Sequence, residues 1–228
     1  MNPVATAVAY LDDIAKQTDT LLVAYSGGKD SLVVADLAHK SKKFKKVMGV
    51  YLFFVPGLQV IESSIRYAKR RWGMEVVQLP HFALLNSLRE GLNCNNLAEY
   101  DDLPKLKEID CYYMAKELTG INYIVTGMKN SDYMKRSIIM RAMKKHNIHS
   151  PIETWIKSDV MKYLDSQKIP KPSTFKGAVT GICMKEACVL WLHDNHHEDY
   201  QKFIQWFPYA EAYIKRREYR QNSNKSIN

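Results

Sequence analysis

Hydrophobic positions along this chain change their period several times, and each change marks an element. Over residues 4–15 apolar side chains recur at helical spacing, with Val4, Val8, Leu11 and Ile14 on one face. The continuous apolar run Leu21-Leu22-Val23-Ala24-Tyr25 has the length of a buried strand. It stops at Ser26-Gly27-Gly28, and the helical period resumes over 30–38. The alternation then repeats: 47–53 predicts a second strand, 59–72 a helix stopped by Gly73, and 75–79 a third strand closed by Pro80. An irregular stretch around Asn93-Cys94-Asn95-Asn96 precedes a helix over 106–118 with Gly120 just past its end. A fourth strand over 121–126 runs into Gly127.

Strands alternating with helices imply right-handed crossovers and a parallel sheet covered on both faces. The expected fold is therefore α/β: an open, mostly parallel, doubly wound sheet. From about Ser150 the pattern predicts no further strand, only helices over 157–167, 184–193 and 199–217, the last broken at Pro208. The connector Ile169-Pro170-Lys171-Pro172-Ser173 cannot be helical. The expected division is an α/β nucleotide-binding domain over 1–147 and, over 148–228, a helical C-terminal flank of the same domain.

Composition narrows the function. No apolar run approaches the ~20 residues of a membrane span, and the start lacks a basic segment leading into an apolar core. The chain is thus expected to be cytoplasmic, with no membrane partner. Four cysteines, Cys94, Cys111, Cys183 and Cys188, are too few and too irregular for a secreted disulfide framework. The net charge of +9 favours anionic ligands, nucleotide or nucleic acid. Much of it lies in the run 40–46 and in Lys215-Arg216-Arg217, where solvated helix ends are the commoner explanation.

The loop Ser26-Gly27-Gly28-Lys29-Asp30-Ser31 carries the strongest chemical signal. Two glycines between a buried strand and a helix let backbone amides approach a ligand, and the helix start adds unpaired N–H donors and a positive dipole end. Together these make a phosphate site. Ser26 and Ser31 can add hydroxyls and Lys29 a compact positive charge, while Asp30 suits a helix cap or a magnesium ligand. The loop is neither a Walker A sequence nor a Gly-x-Gly-x-x-Gly fingerprint.

These six residues match the PP-loop, Ser-Gly-Gly-x-Asp-Ser, and the chain resembles the ATP pyrophosphatase and phosphoadenosine phosphosulfate (PAPS) reductase superfamily. Two further stretches resemble the PAPS reductase branch. Thr126-Gly127-Met128-Lys129 with Arg136 is similar to that branch's Thr-Gly-x-Arg, Lys129 standing where an arginine is usual. Ser150-Pro151-Ile152-Glu153-Thr154-Trp155 through Asp159, Val160 and Tyr163 is similar to its Pro-Leu-x-x-Trp-x-x-x-Asp-Val-x-x-Tyr segment. The resemblance runs over most of residues 20–190.

It implies ATP or an adenylyl nucleotide on the 26–31 loop and chemistry at the α-phosphate, adenylating an unidentified acceptor with pyrophosphate release. In that reading Lys29, Asp30, Lys129 and Arg136 are the catalytic group. Ser26, Gly27, Gly28, Ser31 and Gly127 hold the nucleotide, with Leu52, Phe53 and Phe54 as candidates to flank adenine. Magnesium at Asp30 is the expected cofactor. Two departures bear on the branch: the tail 223–228 lacks the family's cysteine, and Val55-Pro56-Gly57 stands where Asp-Thr-Gly is usual.

Two alternatives stay open. One is PAPS reduction by a thiol outside the tail, Cys183 or Cys188. The other is a non-catalytic nucleotide- or nucleic-acid-binding module, for which Trp206, Phe207, Tyr209, Tyr213 and Tyr219 among Lys215, Arg216, Arg217 and Arg220 could stack bases. An iron–sulfur cluster is not expected, because Cys183 and Cys188 are spaced Cys-x-x-x-x-Cys and only Cys94 and Cys111 could complete it. The group His193, His196, His197 and Glu198 is expected to lie in a loop rather than to bind metal. Homo-oligomerisation is left open.

Overall fold

The computed structural model describes residues 2–95, 97–132, 134–172 and 181–225. Asn96, Ser173 and residues 226–228 of the tail lie outside the described residues. Helix α1 (Pro3–Ala15) starts with Asn2, whose Oδ1 accepts from the Val4 amide at 3.0 Å, and with proline at its first position. Then follow β1 (Thr20–Ala24), α2 (Lys29–Lys40), β2 (Lys46–Phe53), α3 (Gln59–Trp72), β3 (Val76–Pro80), α4 (Phe82–Arg89), α5 (Glu108–Thr119) and β4 (Ile124–Val125). The rest of the described chain contains α6 (Arg136–Lys144), β5 (Ile148–His149), α7 (Lys157–Ser166), α8 (Glu186–Asn195), α9 (His197–Trp206) and α10 (Ala212–Lys225).

All strand pairs are parallel, in the order β3-β2-β1-β4-β5. This is the doubly wound α/β sheet that the strand–helix alternation predicts. The order reverses at β1, so the crevice outside the carboxyl ends of β1 and β4 is where a ligand belongs in such a sheet. In β1, Leu21 and Val23 pack with α1, α2 and α7, while Leu22 enters the opposite layer with Tyr112 and Ala115 of α5. Period-2 alternation inside an unbroken apolar run thus feeds two cores.

Three departures from the sequence pattern have physical reasons. A strand does follow Thr126: β5 pairs Ile148 with Ile124 and His149 with Val125. Two residues are too short to show a period, and only the pairing identifies them. The expected fourth strand shrinks to Ile124–Val125, matching that short partner. Helices α4 and α6 were also not signalled. The start of α4 is capped by His81, whose Nδ1 accepts from the Ala83 amide at 3.0 Å, an atypical capping residue. In α6 the inward positions are the methionines Met140 and Met143, while Ile138 is exposed.

Residues beyond Asn147 belong to the same packing. Trp155 and Leu164 lie in the core with α1 and α2. The buried Asp36 carboxylate accepts from Trp72 Nε1 at 3.0 Å and from Tyr163 Oη at 2.8 Å, tying α2 to α3 and α7. Helices α8 and α9 cover a third cluster, in which Phe54 stacks on Phe207 with centroids 5.0 Å apart. The break between α9 and α10 falls at Phe207-Pro208, as the proline requires.

Candidate functional site

At the end of β1 the chain turns sharply. Gly27 has φ +68°, a left-handed conformation that favours glycine, and an added Cβ would collide with Ser64 Oγ of α3. Gly28 is the N-cap of α2 and receives no side-chain cap. Three bonds close the loop on itself. Ser26 Oγ accepts from the Gly28 amide at 3.3 Å and donates to Ser31 Oγ at 3.2 Å, and Ser31 Oγ donates to the Gly28 carbonyl at 2.9 Å. A helix cannot pair its first-turn amides internally, and no side chain caps those of α2.

The second wall comes from the exit of β4. A Cβ on Gly127 would lie 2.8 Å from Asp30 Cβ and 2.9 Å from the Asp30 carbonyl carbon, so only glycine lets the β4 exit meet the start of α2. Two residues on, Lys129 is 1% exposed. Its ammonium lies 2.8 Å from Asp30 Oδ1 and 2.9 Å from Asp132 Oδ1. The 2.8 Å approach is off the hydrogen-bonding direction, leaving Asp30 Oδ1 and Lys129 Nζ without a directed bond. Lys29 pairs with the other oxygen, Asp30 Oδ2, at 2.5 Å. Asp30 thus sits between two lysines and does not cap α2. Arg136 opens α6, and its Nη1 faces Met128 Sδ at 3.8 Å.

Ser26 lies between two cavities. The first, of about 280 Å³, is at the carboxyl ends of β1, β2 and β4 and is lined by Asp30, Leu52, His81, Glu108, Tyr112 and Gly127 among others. Val50 and Leu52 line it, but among the described residues Phe53 and Phe54 do not. Strand alternation explains this: Tyr51 and Phe53 face the layer covered by the C-terminal helices, and Phe54 is stacked there on Phe207. The second cavity, of about 400 Å³, is lined by Gly27, Gly28, Ser63, Ser64, Tyr67 and Lys171 among others.

His81, Glu108 and Tyr112 are lining residues that sequence reasoning missed. His81 directly follows β3, and a position at a strand's carboxyl end was the available signal. Burial lowers its pKa below the ordinary histidine value, and Nδ1 accepts from Ala83, so the ring is neutral with its proton on Nε2. Tyr112 Oη donates to Glu108 Oε1 at 3.2 Å, and burial above all holds its pKa well up. Nothing local in the sequence marks Glu108 or Tyr112, because α5 arrives from the far side of the sheet.

The remaining candidates lie elsewhere. His193, expected in a loop, is in α8 and pairs through Nδ1 with Asp194 Oδ1 at 2.8 Å. Arg217 donates to both oxygens of Asp194, at 2.5 and 2.8 Å, and holds the Asp194 pKa down to about 2. Among the described residues no three His, Cys, Asp or Glu side chains stand together as a metal-binding group. No described helix is long and apolar enough to cross a membrane. Part of the basic runs is paired: Lys40 with Asp36, Lys45 with Asp19, Lys215 with Glu211, and Arg216 with Glu186. Of the terminal aromatics, Phe207 is buried while Tyr209 and Tyr219 are exposed.

A family model described as the phosphoadenosine phosphosulfate reductase domain matches residues 20–182. No curated protein matches the chain. Among solved structures, the fold is similar to the NH3-dependent NAD synthetase from Campylobacter jejuni subsp. jejuni NCTC 11168 in complex with the nitrate ion. The TM-score is 0.54 at 11% identity, covering 94% of this chain and 92% of that one.

Proposed function

Because the chain belongs to the phosphoadenosine phosphosulfate reductase domain family, within the PP-loop superfamily of nucleotide-binding proteins, we propose that it binds ATP or a close adenylyl nucleotide on the 26–31 loop and acts at the α-phosphate. The reaction in this reading is adenylation of an acceptor with release of pyrophosphate. The observation that carries it is the meeting of the 26–31 turn, Lys29, Asp30 and buried Lys129 beside a cavity at the carboxyl ends of the strands.

Each group has a role. The first-turn amides of α2 and the Ser26 and Ser31 hydroxyls hold phosphate oxygens. Lys29 leaves Asp30 for the triphosphate. Lys129, fixed between Asp30 and Asp132, is a preorganised positive charge facing the charge that builds on the leaving pyrophosphate. Arg136, packed against Met128 of the cavity lining, adds a third cation. Leu52 and Val50 supply the apolar wall for the base.

Once Lys29 has moved to the triphosphate, Asp30 would be free to share a magnesium ion with it. Magnesium takes one or two carboxylates and completes its shell with phosphate oxygens and water. Asp30 and Asp132 both line the cavity, and Asp30 Oδ1 lacks a directed hydrogen bond. Bound there, the ion would offset triphosphate charge and polarise the phosphorus.

A thermal-shift panel of ATP, AMP, PAPS and its dephosphorylated analogue tests the reading. Ligand at 100 times Kd stabilises the folded state by about 2.7 kcal/mol, so the shifts rank the nucleotides. ATP is expected to give the largest shift, with AMP and pyrophosphate formed on turnover. No shift with any adenine nucleotide would sink the proposal. The rival, sulfonucleotide reduction, draws on Cys183, which is half-buried and has its pKa held below the ordinary thiol value chiefly by its contact with Cys188. Sulfite release from PAPS with thioredoxin, lost in Cys183→Ser, would select that rival instead.

A further inference from the structure

The four cysteines fall into two kinds. Cys94 and Cys111 are buried singly, each thiol facing a backbone carbonyl at 3.7 Å (Ser87 and Pro80), and burial raises both pKa values. Cys183 and Cys188 instead face each other. Cys183 lies just ahead of α8, and its amide donates to the sulfur of Cys188, in the helix's first turn, at 3.4 Å. The neighbouring Cys188 thiol stabilises a Cys183 thiolate, and the Lys185 amide and ammonium add to this. These donors, at the positive end of a helix, bring the Cys183 pKa below the ordinary thiol value, while that of Cys188 is pushed up by the same contact. Cys188 is 1% exposed and Cys183 half-buried, so a single sulfur is available to a reagent. No third metal-ligating side chain joins them among the described residues, which favours sulfur–sulfur chemistry over a metal site.

We propose that Cys183 and Cys188 form a reversible thiol–disulfide pair, with Cys183 attacking a small-molecule disulfide and Cys188 resolving the mixed disulfide. In the first step the Cys183 thiolate bonds to one sulfur of the reagent, the reagent's S–S bond breaks, and one thiolate leaves with the electron pair. In the second, Cys188 bonds to the Cys183 sulfur and the reagent's second sulfur leaves with the electron pair, taking up the proton that Cys188 gives up. Two protein thiols are oxidised by two electrons, and one disulfide is reduced to two thiols. The closed bond ties Gly181 and Ile182, in the wall of the 400 Å³ cavity, to α8. The pair stands independently of the nucleotide reading.

Full-length protein incubated in buffers of oxidised and reduced glutathione, quenched and analysed by thiol labelling and peptide mass spectrometry, tests this. Wild type is expected to lose two of its four free thiols and to yield one species linking Cys183 to Cys188. Cys188→Ser is expected to trap a single glutathione on Cys183, and Cys183→Ser none on Cys188. Labelling of Cys183 in wild type should reach its half-maximum at lower pH than that of an ordinary cysteine and shift upward in Cys188→Ala. Two wild-type outcomes would overturn the proposal: a stable glutathione adduct on Cys183 without the internal bond, or all four thiols free in the oxidising buffer. Neither measurement depends on a variant that folds.

Discussion

Two helix starts near the same cleft are finished in opposite ways. At α2 the cap is Gly28, no side chain covers the turn, and Ser26 and Ser31 close the loop within six residues. At α3 the amides of Gln59 and Val60 donate to Asp199 Oδ1 and Oδ2 at 2.6 and 2.9 Å, and that carboxylate comes from 140 and 139 positions away. Both starts present unpaired N–H groups and a positive dipole end. Where the protein supplies its own buried anion, the helix start is structural. Where it supplies glycine and hydroxyls, the start is the one proposed for the anion of a ligand. The comparison separates an anion site from a cap by what fills it rather than by the helix itself.

Breaking the filled start has the largest expected effect. Asp199 is 1% exposed, and Asp199→Ala strands two amide donors under α9. Each hydrogen bond to a charged group contributes about 1.5–3 kcal/mol and two are removed, so urea unfolding should show a loss of at least about 3 kcal/mol. Nucleotide affinity of the folded fraction should hold. An unchanged midpoint would mean that solvent replaces the carboxylate and that the two starts are alike.

Perturbing the open start should do the reverse. Gly28 has φ −77°, which any residue tolerates, and an added Cβ meets only Ser26 Oγ at 3.2 Å. Gly28→Val should therefore fold with nearly wild-type stability while losing at least about tenfold in nucleotide affinity, roughly 1.4 kcal/mol. Calorimetric titration of the variant with ATP checks this. A folded variant that binds as wild type does would remove the loop from the site.

A third buried group lies between the two cases and should give the smallest effect. His149, at the end of β5, hydrogen-bonds Tyr10 Oη through Nδ1 at 3.2 Å, while Nε2 has no partner. Burial, with Lys144 and Lys116 nearby, lowers its pKa from 6.5 to about 4. The unfolded chain therefore binds a proton between those values that the folded one refuses. This contribution to stability is complete above pH 6.5 and declines as pH falls toward 4. Unfolding midpoints of His149→Gln should fall less over that window than those of wild type. Parallel pH profiles would show that His149 does not titrate alone.

Legibility from sequence followed the same division. The 26–31 loop, its position between strand and helix, and the helices over α1, α2, α3, α5 and α7 were readable because their signals are local: a glycine pair, an apolar period, a stop at Gly73 or Gly120. Strand β5 was not, since two residues become a strand only through pairing with Ile124 and Val125. The apolar wall proposed for the base was half legible. Leu52 lines the cavity, but the Phe54 ring belongs to the cluster under Phe203 and Phe207, a partnership formed across some 150 residues. Glu108 and Tyr112 gave no sign, since α5 brings them to the cleft from beyond β3.

The sequence alone determined the strand–turn–helix cradle at residues 26–31 and the parallel α/β character of the chain. Backbone conformation, helix starts and strand periods depend on near neighbours, so they are written in near neighbours. Only the tertiary structure decided that Gly127 meets the backbone of Asp30, that Lys129 is buried between two carboxylates, that Asp199 fills the start of α3, and that Cys188 lies against Cys183. Each of these joins segments by close contact. Charge, hydroxyl and sulfur acquire their chemistry from which partner the fold leaves within about 3 Å and which it leaves without one.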